Sequence, residues 1–297
     1  MKIFITGGTG FVGKHLARRL AADGHDLACL AVDPDGPDAD LLRKLGAVIV
    51  PGDIGDADGL AAGAAGCDAF IHMVGIIFQP RGATFEQIHV QGTYNAMAAA
   101  TVAGVKRYLH MSALSAGPDT GSEFYRTKWM AEEAVRGSGL DFTIFRPSMI
   151  HGPGGDFIEM LAQQIRWAPV VSVIGAGHNR VQPVAVADVA ASYSRALRDD
   201  RTIGQTYDLG GPDQFTFNEM IDSMCRVMGK RRLKVHIPVS LARPAAWFFE
   251  RVQKKPLLTT DQLKMLQIDN VCDITRMKEE LGVDPVAFEE GLAFLRA

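Results

Sequence analysis

Lys2-Ile3-Phe4-Ile5-Thr6-Gly7-Gly8-Thr9-Gly10-Phe11-Val12-Gly13 is the stretch that decides the fold of this chain. Its apolar beginning predicts a buried parallel strand, and the residues after the last glycine continue with helical periodicity. Between them, Gly7 would permit a tight turn, Gly10 would let a pyrophosphate approach the backbone, and Gly13 would let the helix pack on the strand. The free N–H groups at the helix N-terminus would bind that pyrophosphate. The stretch therefore predicts a dinucleotide-binding loop; the alternative is a turn with a purely structural role.

The composition is that of an ordinary globular protein. The chain has 297 residues, of which 47% are hydrophobic and 22% charged, and its net charge of −3 gives no reason to expect a nucleic-acid partner. The four cysteines lie apart without Cys-x-x-Cys spacing, so we expect neither a disulfide framework nor a zinc site. No apolar run approaches about 18 residues and no signal peptide is recognisable, so we predict a cytoplasmic protein.

Short apolar runs alternate with helical segments up to about residue 150, which predicts a doubly wound, Rossmann-type parallel α/β sheet. The predicted strands cover residues 2–6, 27–31, 47–50, 68–73, 106–112 and 141–146. The predicted helices cover residues 11–23, 38–45, 56–65, 84–103 and 122–137. Beyond the break at Gly152-Pro153-Gly154-Gly155, helices and short strands are mixed. We therefore expect a dinucleotide-binding domain over residues 1–150 and a smaller C-terminal α/β lobe, on the substrate or partner side, over residues 151–297.

Residues after the second, third and fourth predicted strands are placed to line a cofactor. Asp33 lies about 20 residues beyond Gly13, where an acid accepts hydrogen bonds from the adenosine ribose. Because Val32 beside it is uncharged, this pair favours NAD over NADP, although Asp33 could equally belong to a solvated turn. Asp53 would lie near the adenine or cap the next helix. The predicted cofactor contacts up to this point are Gly7, Thr9, Gly10, Phe11, Val12, Gly13, Asp33, Asp53, Ile54, Val74 and Gly75.

These motifs together resemble those of the extended short-chain dehydrogenases/reductases. The resemblance rests on residues 6–13, Gly52-Asp53-Ile54, residues 105–115, Lys128 with Glu132, and Arg146-Pro147-Ser148. Through residues 105–115, 128–135 and 181–189, the chain is most similar to atypical members related to the 39 kDa NAD(P)-binding accessory subunit of respiratory complex I. The resemblance implies that Lys128 holds the nicotinamide ribose and that Pro147 and Ser148 line the nicotinamide pocket. It also implies NADP(H), which that subunit holds, whereas Asp33 favours NAD; a distant cation such as Arg81 could compensate.

The resemblance further implies a Tyr-x-x-x-Lys pair, in which the tyrosine exchanges a proton with the substrate. This chain departs from that pattern, because Phe124 stands four residues before Lys128. Tyr125 is turned by about 100° around the helix and would approach a substrate from a different side. The family's serine could correspond to Ser112, Ala113 or Ser115, or the hydroxyls could only satisfy nearby backbone groups. The candidate catalytic residues are Tyr125, Lys128, Ser112 and Ser115.

Other conspicuous residues have less specific interpretations. His72, His110 and His151 lack the spacing of a metal-ligand set, so we predict satisfied structural histidines and no metal site. The aromatic run at 245–249, followed by Arg251, Lys254 and Lys255, fits a membrane-surface or partner-binding helix, or packing against the small lobe.

Two functions are compatible with these observations. The first is an NAD(P)-binding protein with weak or absent dehydrogenase chemistry, acting as an assembly or redox-sensing subunit related to NADH dehydrogenase. Such a subunit would contact a protein assembly or a membrane surface through its C-terminal lobe, at the inner face of a membrane. The second is an active NAD(P)-dependent oxidoreductase or nucleotide-sugar epimerase/dehydratase. Phe124 favours the first; the glycine loop and Lys128 fit both.

Overall fold

The computed structural model describes residues 1–253 and 255–296, which form an α/β fold with thirteen strands and twelve α-helices. The strands are β1 (Lys2–Thr6), β2 (Asp26–Ala31), β3 (Val48–Pro51), β4 (Ala69–His72), β5 (Arg107–Met111), β6 (Asp141–Pro147), β7 (Ile150–His151), β8 (Val170–Ile174), β9 (Arg180–Val181), β10 (Val184–Ala185), β11 (Gln205–Leu209), β12 (Phe215–Thr216) and β13 (Leu233–Ile237). The helices are α1 (Phe11–Ala22), α2 (Pro37–Lys44), α3 (Ala57–Ala64), α4 (Gly92–Val102), α5 (Glu123–Arg136), α6 (Asp156–Trp167), α7 (Val186–Ala196), α8 (Phe217–Val227), α9 (Val239–Val252), α10 (Thr260–Met265), α11 (Thr275–Glu279) and α12 (Phe288–Gly291). A π-helical turn (Glu86–Gln91) leads into α4.

The central sheet has seven parallel strands in the order β11-β6-β5-β4-β1-β2-β3. The chain leaves β1 towards β2 and β3 and then crosses to β4 on the other side. This reversal creates a switch point between β1 and β4, and ligands of open α/β sheets bind outside the carboxyl ends of the strands at such a point. The predicted doubly wound Rossmann-type sheet is confirmed.

Helices cover both faces of the sheet, as its apolar strands require. On one face, Ile3 and Ile5 of β1 pack in a core with residues of α1, α2, α7 and α11. On the other face, Phe4 packs in a core with residues of α3, α4 and α5. The glycine loop emerges between these two layers, at the carboxyl end of β1.

The C-terminal part contributes both a lobe and a piece of the main sheet. Residues of α6, β8, α8 and α12 share a separate apolar core. Three two-stranded sheets (β7 with β10, β9 with β12, β8 with β13) complete this region. However, β11 is the seventh strand of the central sheet, next to β6, and α7 packs on α1. The division into residues 1–150 and 151–297 therefore stays a prediction.

Within the part of the chain that the structure describes, no helix is both long and apolar enough to cross a membrane.

Candidate functional site

The glycine loop forms a cradle of bare backbone at the carboxyl end of β1. Gly7 has φ of +81°, and a Cβ there would lie 2.9 Å from the carbonyl carbon of Met73, just after β4. A Cβ on Gly13 would lie 2.1 Å from the Gly7 oxygen. Exposed Gly10 is the N-cap of α1, and no side chain caps this helix. The first N–H groups of α1 are therefore available to an anion, and the cradle fits a pyrophosphate.

The Gly-Pro-Gly-Gly segment after β7 rests on the first turn of α1. A Cβ on Gly155 would lie 3.0 Å from Cζ of half-buried Phe11, and His15 Nε2 lies 3.0 Å from the Pro153 oxygen. Thr9 and Val12 are also half-buried. This contact brings the C-terminal part of the chain to the mouth of the glycine loop.

The residues predicted for the adenosine end lie at the carboxyl ends of β2 and β3. Val32 and Asp33 are both exposed, directly after β2. Two cations that were not predicted lie close by: Arg43 donates to the Pro34 oxygen (2.7 Å), and Lys14 pairs with Asp38 at the start of α2 (2.7 Å). Arg81, in contrast, donates to the Arg251 oxygen of α9.

Asp53 and Ile54 follow β3 but have different surroundings. The exposed Asp53 carboxylate accepts from Gly55 N (2.6 Å), whereas the cap of α3 is Asp56, which accepts from Gly59 N (3.0 Å). Ile54 is buried, and its side chain packs against the bare backbone of Gly92 in α4. The capping role considered for Asp53 thus belongs to Asp56.

Lys128 is the centre of a buried polar cluster at the carboxyl ends of β4 and β5. Its side chain donates to the Met111 oxygen (3.1 Å), and a Cβ on Gly75 would lie 2.9 Å from its Nζ. Burial lowers the pKa of Lys128 to about 8, and the carboxylate of Glu132 opposes that shift. Val74 and Gly75 follow β4, so the structure brings the predicted Lys128 and Gly75 together.

His89 also belongs to this cluster, and the sequence reasoning missed it. It lies in the π-helical turn, with Nδ1 2.9 Å from Thr127 Oγ1 and Nε2 3.1 Å from Ile76 N. The Thr127 hydroxyl has a single proton, which it donates to carbonyl oxygens one turn earlier in α5 (2.9 and 3.0 Å). His89 thus joins Thr127 of α5 to the Ile76 backbone, whose N and O both lie 3.1 Å from Nε2.

In this arrangement, the neutral His89 ring links α5 to the backbone beside Gly75 through hydrogen bonds. Burial, followed by the positive charge of Lys128, lowers the pKa of His89 to about 2, while a hydrogen bond to the Ile76 backbone opposes the shift. The signal in the sequence was its spacing: His89 lies one turn from Phe85 and from Thr93, both buried, so helical periodicity places it inside.

Phe124 and Tyr125 lie in an apolar cluster rather than in a polar active site. The Phe124 ring lies edge-on to His89 (5.4 Å) and to Phe85 (5.9 Å). Tyr125 is 5% exposed, and burial together with the Asp261 carboxylate raises its pKa to about 12. Four further residues pack against this cluster: Ile76, Ala113, Met265 and Ile268. Both influences on Tyr125 disfavour the phenolate, the form that an activated catalytic tyrosine would adopt.

Asp261, from α10, holds the start of α5. Its Oδ2 accepts from Ser122 Oγ (2.7 Å) and Phe124 N (3.1 Å), and its Oδ1 accepts from Glu123 N (2.8 Å). Ser122 is the N-cap, with its side chain accepting from Tyr125 N. A carboxylate at a helix N-terminus is favourable both by charge and by hydrogen bonding. The helix begins regularly, so no local irregularity turns Tyr125 into the position of Phe124.

The candidate hydroxyls differ in what they contact. Ser112 is buried, and within the described residues its Oγ has no hydrogen-bond partner. Ser115 has φ of +70°, and its Oγ donates to the Asp269 oxygen (3.4 Å) of the segment after α10. Ser148 is buried and donates to the Gln182 oxygen, while the oxygen of Pro147 accepts from Leu114 N (2.9 Å). Ser112 is thus the hydroxyl still able to bond a ligand.

The three histidines that were predicted to be structural are buried, but only one is bonded to protein. Thr6 Oγ1 lies 2.7 Å from His72 Nδ1, whereas neither ring nitrogen of His110 or His151 has a partner in the described residues. Burial, and then Lys128, lowers the pKa of His72 to about 3. These rings are therefore neutral, and the expectation that all three are satisfied was wrong.

Comparison with known proteins identifies the family. Residues 3–210 match the NAD dependent epimerase/dehydratase family. The mitochondrial NADH dehydrogenase [ubiquinone] 1 alpha subcomplex subunit 9 of Arabidopsis thaliana is 31% identical over 95% of this chain and 73% of that protein. The ceramide reductase of Caulobacter vibrioides is 32% identical over 80% of this chain and 73% of that protein.

A solved structure shares the fold. The UDP-glucuronic acid 4-epimerase of Bacillus cereus, in complex with UDP-glucuronic acid and NAD, superposes with a TM-score of 0.77 at 19% identity, over 98% of this chain and 96% of that one. The resemblance to extended short-chain dehydrogenases/reductases, and to the complex I accessory subunit among them, is confirmed. A nicotinamide dinucleotide is accordingly the cofactor class, with NAD versus NADP still a prediction. This chain belongs to the NAD-dependent epimerase/dehydratase family.

Proposed function

We propose that this chain holds NAD(P) at the switch point of its sheet and has little or no standard dehydrogenase activity. The glycine cradle and the N-terminus of α1 would bind the pyrophosphate. Asp33 would bind the adenosine ribose, Lys128 the nicotinamide ribose, and Ser112 the nicotinamide end. A bound nicotinamide supplies a hydride donor or acceptor; what these side chains do not supply is an activated proton donor.

One observation carries this proposal: the helix that presents Lys128 presents an apolar ring four residues earlier. Phe124 has no proton to transfer and packs on His89 and Phe85. The nearest hydroxyl on the helix, Tyr125, has its pKa raised to about 12 and lies among apolar side chains. A general acid must reach the reacting oxygen within about 2.6 to 3.2 Å, and loss of a positioned acid costs about a hundredfold to ten-thousandfold in rate.

We further propose that the protein acts as a subunit of a larger protein assembly. The similarity to the plant complex I subunit supports it, since that match spans nearly the whole chain. We propose that the C-terminal lobe provides the contact with a partner and that the protein works in the cytoplasm, peripherally at the inner face of a membrane.

An active reductase is the second candidate, and two observations favour it. Lys128 is still buried beside Gly75 with a pKa near neutrality, and the Ser112 hydroxyl remains available. The bacterial ceramide reductase is 32% identical to this chain, against 31% for the plant subunit, although its match covers 80% of the chain rather than 95%. In such an enzyme, Tyr125 or Ser112 would have to deliver the proton.

Turnover measurements separate the two candidates. A panel of carbonyl compounds, alcohols and nucleotide sugars would be assayed with both cofactors, using the natural protein, Tyr125→Phe and Phe124→Tyr. We expect cofactor binding with negligible turnover in the natural protein, and no further loss in Tyr125→Phe. Turnover that appears only in Phe124→Tyr would mark a site that kept its cofactor and lost its acid. Robust natural turnover that disappears in Tyr125→Phe would refute the proposal and identify Tyr125 as the acid.

A further inference from the structure

Helix α9 has two apolar faces, of which only one is packed. Ala242 and Ala246 are buried and pack with Leu263 of α10 and with apolar residues of β8 and β13. On the other side, Leu241, Phe248 and Val252 are 69%, 54% and 58% exposed. A helix with apolar residues on two faces is normally covered on both.

The exposed apolar residues form one narrow row. Leu241, Ala245, Phe248 and Val252 are spaced by four, three and four residues, which puts them within about 60° of one another on the helix. Pro244, also exposed, borders the row. This apolar row is therefore a continuous strip along the length of α9.

A second row of different chemistry runs along another face of the same helix. Arg243, Trp247 and Arg251 are all exposed and spaced by four residues, so they lie on one line along α9. The guanidinium of Arg251 lies 3.7 Å from the centre of the Trp247 ring, and Arg81 joins the same end of the helix through the Arg251 oxygen. This basic row is centred about 130° from the apolar row around the helix, and its nearest member, Arg251, is about 60° from Phe248.

The charge of this region is opposite to that of the whole chain. Residues 239–257 contain four basic residues and one acidic residue, a local net charge of +3, whereas the chain as a whole carries −3. The one acid, Glu250, is turned away from the apolar row, since it accepts from N and Oγ1 of Thr260 (2.6 and 2.9 Å). Lys255 pairs with Asp156, so the cations left for a partner in the described residues include Arg81, Arg243 and Arg251.

We propose that α9 docks on an anionic phospholipid surface, lying in the plane of the interface. The apolar row would enter the boundary between headgroups and acyl chains, and Arg251, with Arg81 at the same end of the helix, would contact lipid phosphates. An interfacial helix requires an apolar strip with cations beside it, and Arg251, stacked on the Trp247 ring, lies on one flank of this strip. The assignment deepens the proposed peripheral location but does not depend on the cofactor site.

Vesicle sedimentation tests this proposal on the full chain. Binding would be measured to vesicles of phosphatidylcholine alone and of phosphatidylcholine mixed with phosphatidylglycerol, for the natural protein, Leu241→Glu/Phe248→Glu and Arg243→Gln/Arg251→Gln. Trp167→Glu is the matched control, because Trp167 is 82% exposed at the end of α6, outside both rows. NADH affinity of each variant reports an intact fold and an intact cofactor site.

We expect the natural protein and Trp167→Glu to bind the anionic vesicles, and to bind them more tightly than the neutral ones. The apolar-row variant should bind at least about tenfold more weakly, because burial of these side chains is lost. The basic-row variant should bind these vesicles about fivefold more weakly, for the loss of Arg251 beside the apolar row. Failure of the natural protein to bind anionic vesicles would overturn the proposal. So would equal loss in Trp167→Glu, or self-association that disappears in the apolar-row variant, which would assign the surface to a second copy.

Discussion

Lys128 is the residue at which stability and function oppose each other. Its folded-state pKa of about 8 lies below the usual 10.5, so between those values the unfolded chain binds more protons and the unfolding free energy rises with pH. Below about pH 8 the folded protein carries a buried ammonium ion at a cost. Residues that cost stability are commonly functional, which agrees with its position beside Gly75.

Replacing Lys128 with methionine should therefore separate the two effects. At pH 7 we expect Lys128→Met to unfold with a free energy higher by on the order of 1 to 4 kcal/mol, because the cost of the buried charge that lowers the pKa of Lys128 is removed. Its NADH affinity should fall roughly tenfold to a hundredfold, since a charged hydrogen bond is lost. In the natural protein the affinity should weaken as the pH rises through about 8, and that pH dependence should vanish in the variant. Titrations across this range would contradict the role of Lys128 if both proteins gave the same profile.

Asp33 and its neighbours set the choice between NAD and NADP. An exposed carboxylate beside uncharged Val32 repels a 2′-phosphate, so NAD(H) should bind more tightly than NADP(H). Asp33→Arg should narrow or reverse that difference, as measured by titration of both cofactors. Tighter NADPH binding by the natural protein would mean that Lys14 or Arg43 leaves its carboxylate partner on α2 and outweighs Asp33.

At the scale of elements, α5 is held on the sheet by ion pairs as well as by apolar packing. Fully buried Glu132 accepts two hydrogen bonds from Arg146 of β6 (2.7 and 2.6 Å) and one from Arg136 (2.9 Å). The Glu132 carboxylate raises the pKa of Arg146, so this guanidinium stays charged. The pair fixes α5 on the sheet, and with it the height of Lys128 above β5.

Loss of the Glu132–Arg146 pair should lower the free energy of unfolding strongly, whereas loss of the exposed Glu133–Arg136 pair should lower it little. Glu132→Ala leaves a half-buried guanidinium without its partner, and we expect about 3 to 5 kcal/mol of destabilisation. Glu133→Ala is the matched control on the same helix, because its pair with Arg136 is exposed, and it should cost less than about 1 kcal/mol. Chemical denaturation of both variants would test this; equal costs would mean that α5 is held by apolar packing alone.

The elements that follow from local pattern were predictable, and those fixed by distant contacts were not. All six predicted strands and five predicted helices are present, because buried parallel strands leave short apolar runs between amphipathic segments. The strand β11 was missed, since nothing in Gln205–Leu209 itself says that it pairs with β6. The cap that Asp261 provides for α5 joins residues more than a hundred positions apart, and no spacing rule reaches that far.

The same division holds within the site. Gly7 and Gly13 could be found because a short motif states their backbone role, and Lys128 because the resemblance to the family implies its role. His89 could not be assigned a partner from sequence, because its function in the structure is to join Thr127 to the peptide after β4. The choice between Ser112 and Ser115 likewise needed the segment after α10, which engages one hydroxyl and leaves the other.

At the scale of the whole molecule, the sheet and the C-terminal segments enclose one site from two sides. The switch point between β1 and β4 provides the cradle, while the segment 152–155 rests on Phe11 and the segment around α10 covers Tyr125. The side of the site at Phe124 and Tyr125 is thus packed by apolar residues, two of which, Met265 and Ile268, come from the C-terminal part of the chain. This architecture favours holding a cofactor over turning over a substrate.

Native mass spectrometry of protein purified without added nucleotide tests this claim most directly. We predict that the natural protein carries, or takes up on addition, one NAD(H) or NADP(H) per chain. Gly10→Val should carry no dinucleotide, because its bulkier side chain blocks the pyrophosphate. Its fold should stay intact, since a Cβ at Gly10 lies 3.2 Å from the Gly7 oxygen, a contact that small shifts relieve. A natural protein that neither carries nor takes up a dinucleotide, or a Gly10→Val variant that binds it equally well, would contradict the account.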